Sequence, residues 1–202
     1  AEAKQLAEFG TKEINLVSQD STYWGKDLAE ASDTPKRLSD LLRELDEISG
    51  LHWIRLLYTY PTSIRDDLID VLASSTRVLP YVDVPLQHAS DSILQAMRRG
   101  ARETEQRQLV ETLRNKIPNL TLRTTFIVGF PGESDADFDT LCDFVREMRF
   151  DRAGVFQYSD EEGTAAFELG PKVTRKVARA RQRELMRIQQ EIMQEKLGQQ
   201  VG

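Results

Sequence analysis

The chain is poor in the residues that build redox and metal chemistry. Among its 202 residues there is one cysteine, Cys142, and there are two histidines, His52 and His88. A single cysteine excludes an internal disulfide framework and any multi-cysteine metal site made by this chain alone. No HxxxH pair or carboxylate set suggests zinc, and no Ser/His/Asp constellation for nucleophilic catalysis is visible. No apolar run approaches the roughly 20 residues of a membrane span, and no signal-peptide pattern opens the chain. The reading is cytoplasmic. Lysine is missing from residues 117–171. That removes a Schiff-base lysine from the strand ends of this stretch, and with it an aldolase-like reading.

What is present is an ordinary globular mixture, 40% apolar and 30% charged, enough for one substantial domain or two small ones. The charge is uneven. Residues 171–202 hold eight Lys/Arg against three Glu, or +5, so the −6 of the whole chain puts the other 170 residues at −11. An acidic body suits a basic partner better than nucleic acid. The run Arg175–Arg187 carries basic residues on several helix faces. Its default reading is a solvated or interdomain helix, with RNA binding as the alternative.

Along the chain, strand patterns alternate with helix patterns. Residues 1–9 are helical in pattern without a capping start. Strands are expected at 13–18, 52–60, within 77–87, at 120–128 and at 152–158. Between them lie a polar loop (25–34), a helix opened by Pro35 with Leu38, Leu41, Leu42, Leu45 and Ile48 on one face, and a Ser63-capped helix to Ser74. A short helix capped by Ser90 runs to Met97, one capped by Thr104 to Ile117, and one spans 133–148. A long helix, about 172–197, follows the last strand. Five strands with no hairpin signal predict an α/β fold with a parallel sheet, doubly wound or barrel-like. Polar residues gather after the strands, at Gln19/Asp20, Tyr60, Gln87/His88, Gly129–Glu133 and Tyr158–Glu162. C-terminal strand ends form the site in such folds, and five such tips converge best in a barrel or partial barrel.

The most pointed stretch is "LRTTFIVGFPGES", 122–134, a strand breaking into a glycine turn before a helix. A P-loop needs GxxxxGK[ST], and a dinucleotide turn needs GxGxxG; neither is here. Glu133 and Asp135 already match the positive end of the following helix. Two readings stay open: close backbone contact with a flat or cationic ligand, which glycines permit, or a plain strand–helix turn closed by a capping pair. Cys142, with Phe138, Leu141 and Val145 at helical spacing, reads as a core thiol. His52 reads as structural, and His88 divides evenly between site and structure.

Longer motifs carry a resemblance. "VPLQHASDSILQAMRRG" (84–100), "LRTTFIVGFPGESDADF" (122–138) and "VFQYSDEEGTAAFEL" (155–169) resemble the radical S-adenosylmethionine (radical SAM) domain of methylthiotransferases, as do "NLVSQDSTYWGKDL" (15–28) and "LYTYPTSI" (57–64). "SQD" (18–20) and "YSDEEGT" (158–164) resemble the branch that methylthiolates the β-carbon of an aspartate in ribosomal protein twelve of the small subunit. They differ from the GQN and YS-x-RPGT of the transfer-RNA adenosine branch, which is the alternative, together with a non-catalytic binding domain.

The resemblance implies a partial parallel (β/α) barrel over 1–170, with 171–202 leading toward a C-terminal TRAM domain that is absent. It implies S-adenosylmethionine (SAM) as cofactor. Ser18, Gln19 and Asp20 would lie by its amino-acid end, Gln87 and Arg123 by ribose and carboxylate, and Thr125, Gly129, Phe156 and Tyr158 by adenine. It also implies 4Fe-4S clusters in a full-length parent. The CxxxCxxC loop and first strand that hold the cluster are missing from this sequence, so a fragment inactive alone is expected. The implied partner is a basic ribosomal protein drawn to Asp20, Asp160, Glu161 and Glu162. Neither a membrane nor direct nucleic-acid contact by the barrel itself is expected.

Overall fold

The computed structural model describes residues 1–26 and 36–199. Pro35 and most of the expected 25–34 loop lie outside the described residues. The chain divides into two compact units, Ala1–Val84 with Glu111–Thr121, and Pro85–Val110 with Leu122–Gly202.

The first unit contains α1 (Glu2–Glu8), β1 (Glu13–Leu16), α2 (Leu38–Asp46), β2 (Trp53–Leu56), α3 (Asp66–Ser74) and β3 (Tyr81–Asp83). β1 and β2 pair in parallel, Glu13 opposite Trp53 through Leu16 opposite Leu56. Val78 bridges Ile54 in the same sense. The apolar stripe expected of α2 is buried at Leu38, Leu42 and Leu45; α2 packs on α3, whose Leu68, Ile69, Val71 and Leu72 are buried too, as are Ile54 and Leu56 of β2. Asp40 starts α2 by accepting the Arg37 N–H at 2.9 Å. Ser63 does not cap α3. Pro61 opens a short 3-10 turn that ends at Ser63, and α3 begins at Asp66, with Asp66 and Asp67 at its positive end.

The second unit contains α4 (Asp91–Ala96), β4 (Thr121–Val128, from Leu122), α6 (Asp135–Met148), β5 (Arg152–Gln157) and α7 (Arg175–Gly198). α5 (Glu103–Lys116) has its residues to Val110 here and the rest in the first unit. Thr104 is inside α5 rather than its cap. Arg102 N–H donates instead to Glu105 at 2.7 Å, which starts the helix two residues earlier.

β4 and β5 are parallel, Arg123 opposite Arg152 through Val128 opposite Gln157. Burial alternates strictly along β4. Leu122, Thr124, Phe126 and Val128 point to the helices; Arg123, Thr125 and Ile127 point the other way. On the helix side Phe126, Phe144 and Phe150 form one aromatic cluster with centroids 5.7–6.4 Å apart. α7 closes this side through Ala178, Arg181, Leu185, Ile188 and Ile192, all buried. Its Gln189 donates to the Phe150 carbonyl at 3.0 Å and Gln182 to the Val155 carbonyl at 2.7 Å.

Candidate functional site

The glycine turn holds its own glutamate. After Val128 the backbone turns through Gly129 (φ +77) and Gly132 (φ +84), and the Glu133 side chain folds back beneath the turn with no exposed surface. One carboxylate oxygen accepts the N–H groups of Gly129 and Phe130. The other accepts Arg181 Nη1 of α7 at 3.0 Å. The same nitrogen reaches the Glu133 carbonyl at 3.0 Å, and Nη2 reaches Asp135 at 2.7 Å. Burial pushes the Glu133 carboxyl above its ordinary range, while Arg181 and the two amides pull it back. Glycine is required at 129 for two reasons. Its φ is left-handed, and a Cβ there would sit 2.5 Å from the Ala178 Cβ. The capping pair lies one step further on: Ser134 caps α6, and Asp137 accepts the Ser134 N–H at 2.9 Å.

Beside this turn is a shelf on the open face of β4 and β5. Thr125 stands opposite Gly154. A Cβ on Gly154 would be 3.4 Å from the Phe156 ring and 3.8 Å from Thr125 Oγ1. The glycine therefore leaves a shallow bay between a ring and a hydroxyl, and Phe156 is 59% exposed. Gln87 (φ +74) is fixed along the edge of β4 by two bonds, its N–H to the Thr125 carbonyl (2.9 Å) and its carbonyl from the Ile127 N–H (2.8 Å). Tyr158 continues β5 with its N–H on the Val128 carbonyl at 2.8 Å, and its ring meets Phe130 edge-on at 5.0 Å. Arg123 shares the face of Thr125 but lies two residues nearer the start of the strand, about 7 Å from it.

In the first unit, Ser18, Gln19 and Asp20 follow β1. Asp20 caps a 3-10 turn by accepting the Thr22 N–H at 2.9 Å. Ser18 donates to Ser21 Oγ (3.3 Å), and Ser21 in turn donates to the Leu57 carbonyl (2.6 Å), which stitches the ends of β1 and β2 together. Ser18 and Gln19 remain exposed. Of the expected acidic rim, Asp160 is paired with Lys172 at 2.6 Å, Glu161 accepts the Ser159 hydroxyl at 3.0 Å, and Glu162 is exposed.

Two groupings escaped sequence reading because their members are far apart in the chain. Arg181 with Glu133 is one. The other is Asp137, which accepts Ser90 (2.5 Å), Ser92 (2.7 Å) and Ser134 (2.5 Å) hydroxyls. Burial raises the Asp137 carboxyl, but these bonds outweigh it and hold the carboxyl well below the usual range. His88 beside them is fully buried, accepts the Ser90 N–H on Nδ1 at 2.9 Å, and is pushed down to about 4 by burial, so it is neutral. The Nδ1 acceptor places its proton on Nε2.

Cys142 is in the α6 core, its thiol pushed up to about 11 by burial, and among the described residues no group of three or more His, Cys, Asp or Glu is arranged to hold a metal. The residues of this chain therefore do not fit an iron–sulfur cluster, which takes about four cysteine ligands. The shelf does fit a flat ligand with a polar edge.

A family model described as the radical SAM superfamily matches residues 1–145. The chain belongs to the radical SAM superfamily. Over all of its length this radical SAM chain is 48% identical to a ribosomal protein uS12 methylthiotransferase RimO of Sorangium cellulosum (strain So ce56), covering 42% of that protein. A second RimO, from Aquifex aeolicus (strain VF5), is 53% identical over 195 residues, 96% of the chain and 44% of that protein. The chain thus spans less than half the length of the curated relatives it matches. Among solved structures, the radical SAM coproporphyrinogen III oxidase HemN of Escherichia coli superposes with TM-score 0.68 over 94% of the chain and 44% of its own, at 16% identity. The methyltransferase TsrM of Kitasatospora setae, with cobalamin and a [4Fe-4S] cluster bound, superposes with TM-score 0.58 over 77% of the chain and 29% of its own, at 18% identity. The fold is α/β with parallel strands, a partial barrel of the radical SAM type.

Proposed function

We propose that this chain is the SAM-binding portion of a methylthiotransferase that modifies the β-carbon of an aspartate in ribosomal protein uS12. The observation that carries the reading is identity of about half the residues with RimO proteins along essentially the whole chain. SAM lies on the shelf, its adenine against Phe156 and Thr125 near Tyr158 and the Gly129 turn. Gln87 and Arg123 serve its ribose and carboxylate. Arg123 suits a carboxylate because its planar fork binds two oxygens. SAM supplies the reaction with its methyl and adenosyl groups; the chain's own part is to orient them.

Residues 1–170 form the catalytic-barrel portion in this reading, and 171–202 the helix that follows it. With one cysteine, this chain does not supply the ligand set of a cluster. The partner is the basic ribosomal protein, met by the acidic body. No described helix is long and apolar enough to cross a membrane, and a cytoplasmic enzyme needs none.

Calorimetric titration of SAM into the 202-residue chain tests the site. Weak binding is expected, and Phe156→Ala weakens it about tenfold, within the range for loss of one stacking ring. Because Phe156 is exposed, folding is left intact. Unchanged affinity in Phe156→Ala refutes the shelf. The reaction is tested with a full-length enzyme carrying this segment, by mass spectrometry of uS12 and of transfer RNA after incubation. Methylthio gain on transfer RNA rather than on uS12 refutes the assignment to the ribosomal branch.

A further inference from the structure

We infer that the outer face of α7 docks on the phosphate backbone of RNA. This rests on the proposed ribosomal substrate, whose surroundings are RNA. Arg175, Lys176, Arg179 and Arg183 are exposed, and none has an ion-pair partner among the described residues. The other cations of α7 are all engaged: Arg181 by Glu133 and Asp135, Arg187 by Glu184 and Glu191, Lys196 by Asp151. Among the described residues, the unpaired cations of α7 are therefore confined to one stripe. At 1.5 Å and 100° per residue, Arg175, Arg179 and Arg183 run about 12 Å along the helix within one side, with Lys176 flanking them.

The arrangement is unfavourable for the isolated chain. Arg175–Arg179 and Arg179–Arg183 are like-charge pairs one turn apart, and Lys176 is three residues from Arg179. The first turn has no acidic residue, so Arg175 and Lys176 oppose the helix dipole. A helix carries such a conflict without evident local gain where a ligand relieves it, and the relieving ligand here is polyanionic. Arginine outnumbers lysine three to one in the stripe, and its fork matches phosphate geometry. A membrane surface fits less well. An interfacial helix needs a free apolar face, and α7 buries Ala178, Leu185, Ile188 and Ile192 within its own unit. The RNA contact belongs to this helix and not to the acidic barrel.

The test is fluorescence anisotropy of the 202-residue chain with a labelled 20-nucleotide single-stranded RNA at 50–200 mM salt. Four phosphate contacts give a log–log salt slope of about −2.8 and about a 50-fold loss of affinity across that range. Arg175→Gln, Arg179→Gln and Arg183→Gln together leave a slope of about −0.7 and a loss of about threefold. All three are exposed, and circular dichroism verifies that the variant is folded. A wild-type slope shallower than −1, an unchanged slope in the triple variant, or poly-glutamate or anionic phosphatidylserine vesicles competing as well as RNA overturns the inference. Failure of the substrate reading is seen separately. A full-length enzyme that binds RNA through this stripe but leaves uS12 unmodified refutes the substrate. One that modifies uS12 without any RNA binding refutes the stripe alone.

Discussion

Replacing Arg181 with Met is expected to cost about 3 kcal/mol of stability at neutral pH. The Glu133 side chain is fully buried and that of Arg181 is 8% exposed. Breaking such a pair by removing one partner costs about 3–5 kcal/mol, because the remaining charge is buried and uncompensated. The lower end applies here, since the Gly129 and Phe130 amides still face the carboxylate. The arm to Asp135 adds little, because that carboxylate is 96% exposed. The pH dependence identifies the cause. The folded Glu133 carboxyl already lies above its ordinary value, so its protonated form favours the folded state. The corresponding stability is fully present below the unfolded value and is lost as pH rises through the folded one. Without Arg181 the carboxyl moves higher still. The Arg181→Met defect must therefore shrink on acidification, and adding Glu133→Gln must restore part of the loss at pH 7. Urea unfolding followed by far-UV circular dichroism reads this. Tryptophan fluorescence does not, since Trp24 and Trp53 both lie in the first unit. A loss under about 1 kcal/mol, or one independent of pH and unaffected by Glu133→Gln, refutes the reasoning.

Three further outcomes follow from single side chains. Gly129→Ala is expected to lose about 1–3 kcal/mol through its left-handed φ and further through the 2.5 Å approach to Ala178. Pairing it with Ala178→Gly recovers only the steric part, as measured by the same urea midpoints. His88 is neutral when folded and titrates near 4 rather than 6.5. The unfolded chain binds the proton first, so stability falls as pH drops from about 6.5 toward 4, by at most about 3 kcal/mol. His88→Asn, whose carbonyl can still accept the Ser90 N–H, flattens that slope. Cys142, buried and raised to about 11, is expected to resist a disulfide reagent in the native chain and to react at the rate of unfolding; rapid native labelling contradicts its core placement.

The strand–helix alternation was legible because its period is local. β4 and β5 appear within one residue of expectation at each end, and α6 within two at its start. Starts set by competing caps were less legible. Ser63, Thr104 and Asp66 are all good cap or first-turn residues, and which one acts depends on Pro61 and on the Arg102–Glu105 bond. The pairing of Glu133 with Arg181 was not legible at all. Arg181 sits in a basic run whose other members are solvated, and nothing in its neighbours distinguishes the one arginine turned inward. Only the helical phase it shares with Ala178, Leu185 and Ile188 carries that signal. The serines gathered on Asp137 are hidden for the same reason, since Ser90 and Asp137 are distant in the sequence.

The Gly129–Glu133 turn thus has a different division of labour from the one its glycines suggest. Two of its amides, which could have met an anion, are given to a carboxylate that α7 holds from behind. An anionic group of a ligand placed there would have to displace Glu133 from both amides while Arg181 stayed buried beside it, and burial of the displaced carboxylate opposes that. The charged end of the proposed cofactor is therefore excluded from the turn. What remains near it is the uncharged shelf of Thr125, Gly154 and Phe156, which suits an adenine. In the proposed site, carboxylate recognition is assigned to a group with its own positive charge, and on this face of β4 that group is Arg123. The prediction from this division is directional. Neutralising Arg123 weakens SAM more than it weakens adenosine, whereas Phe156→Ala weakens both equally, and calorimetry with the two ligands separates the roles.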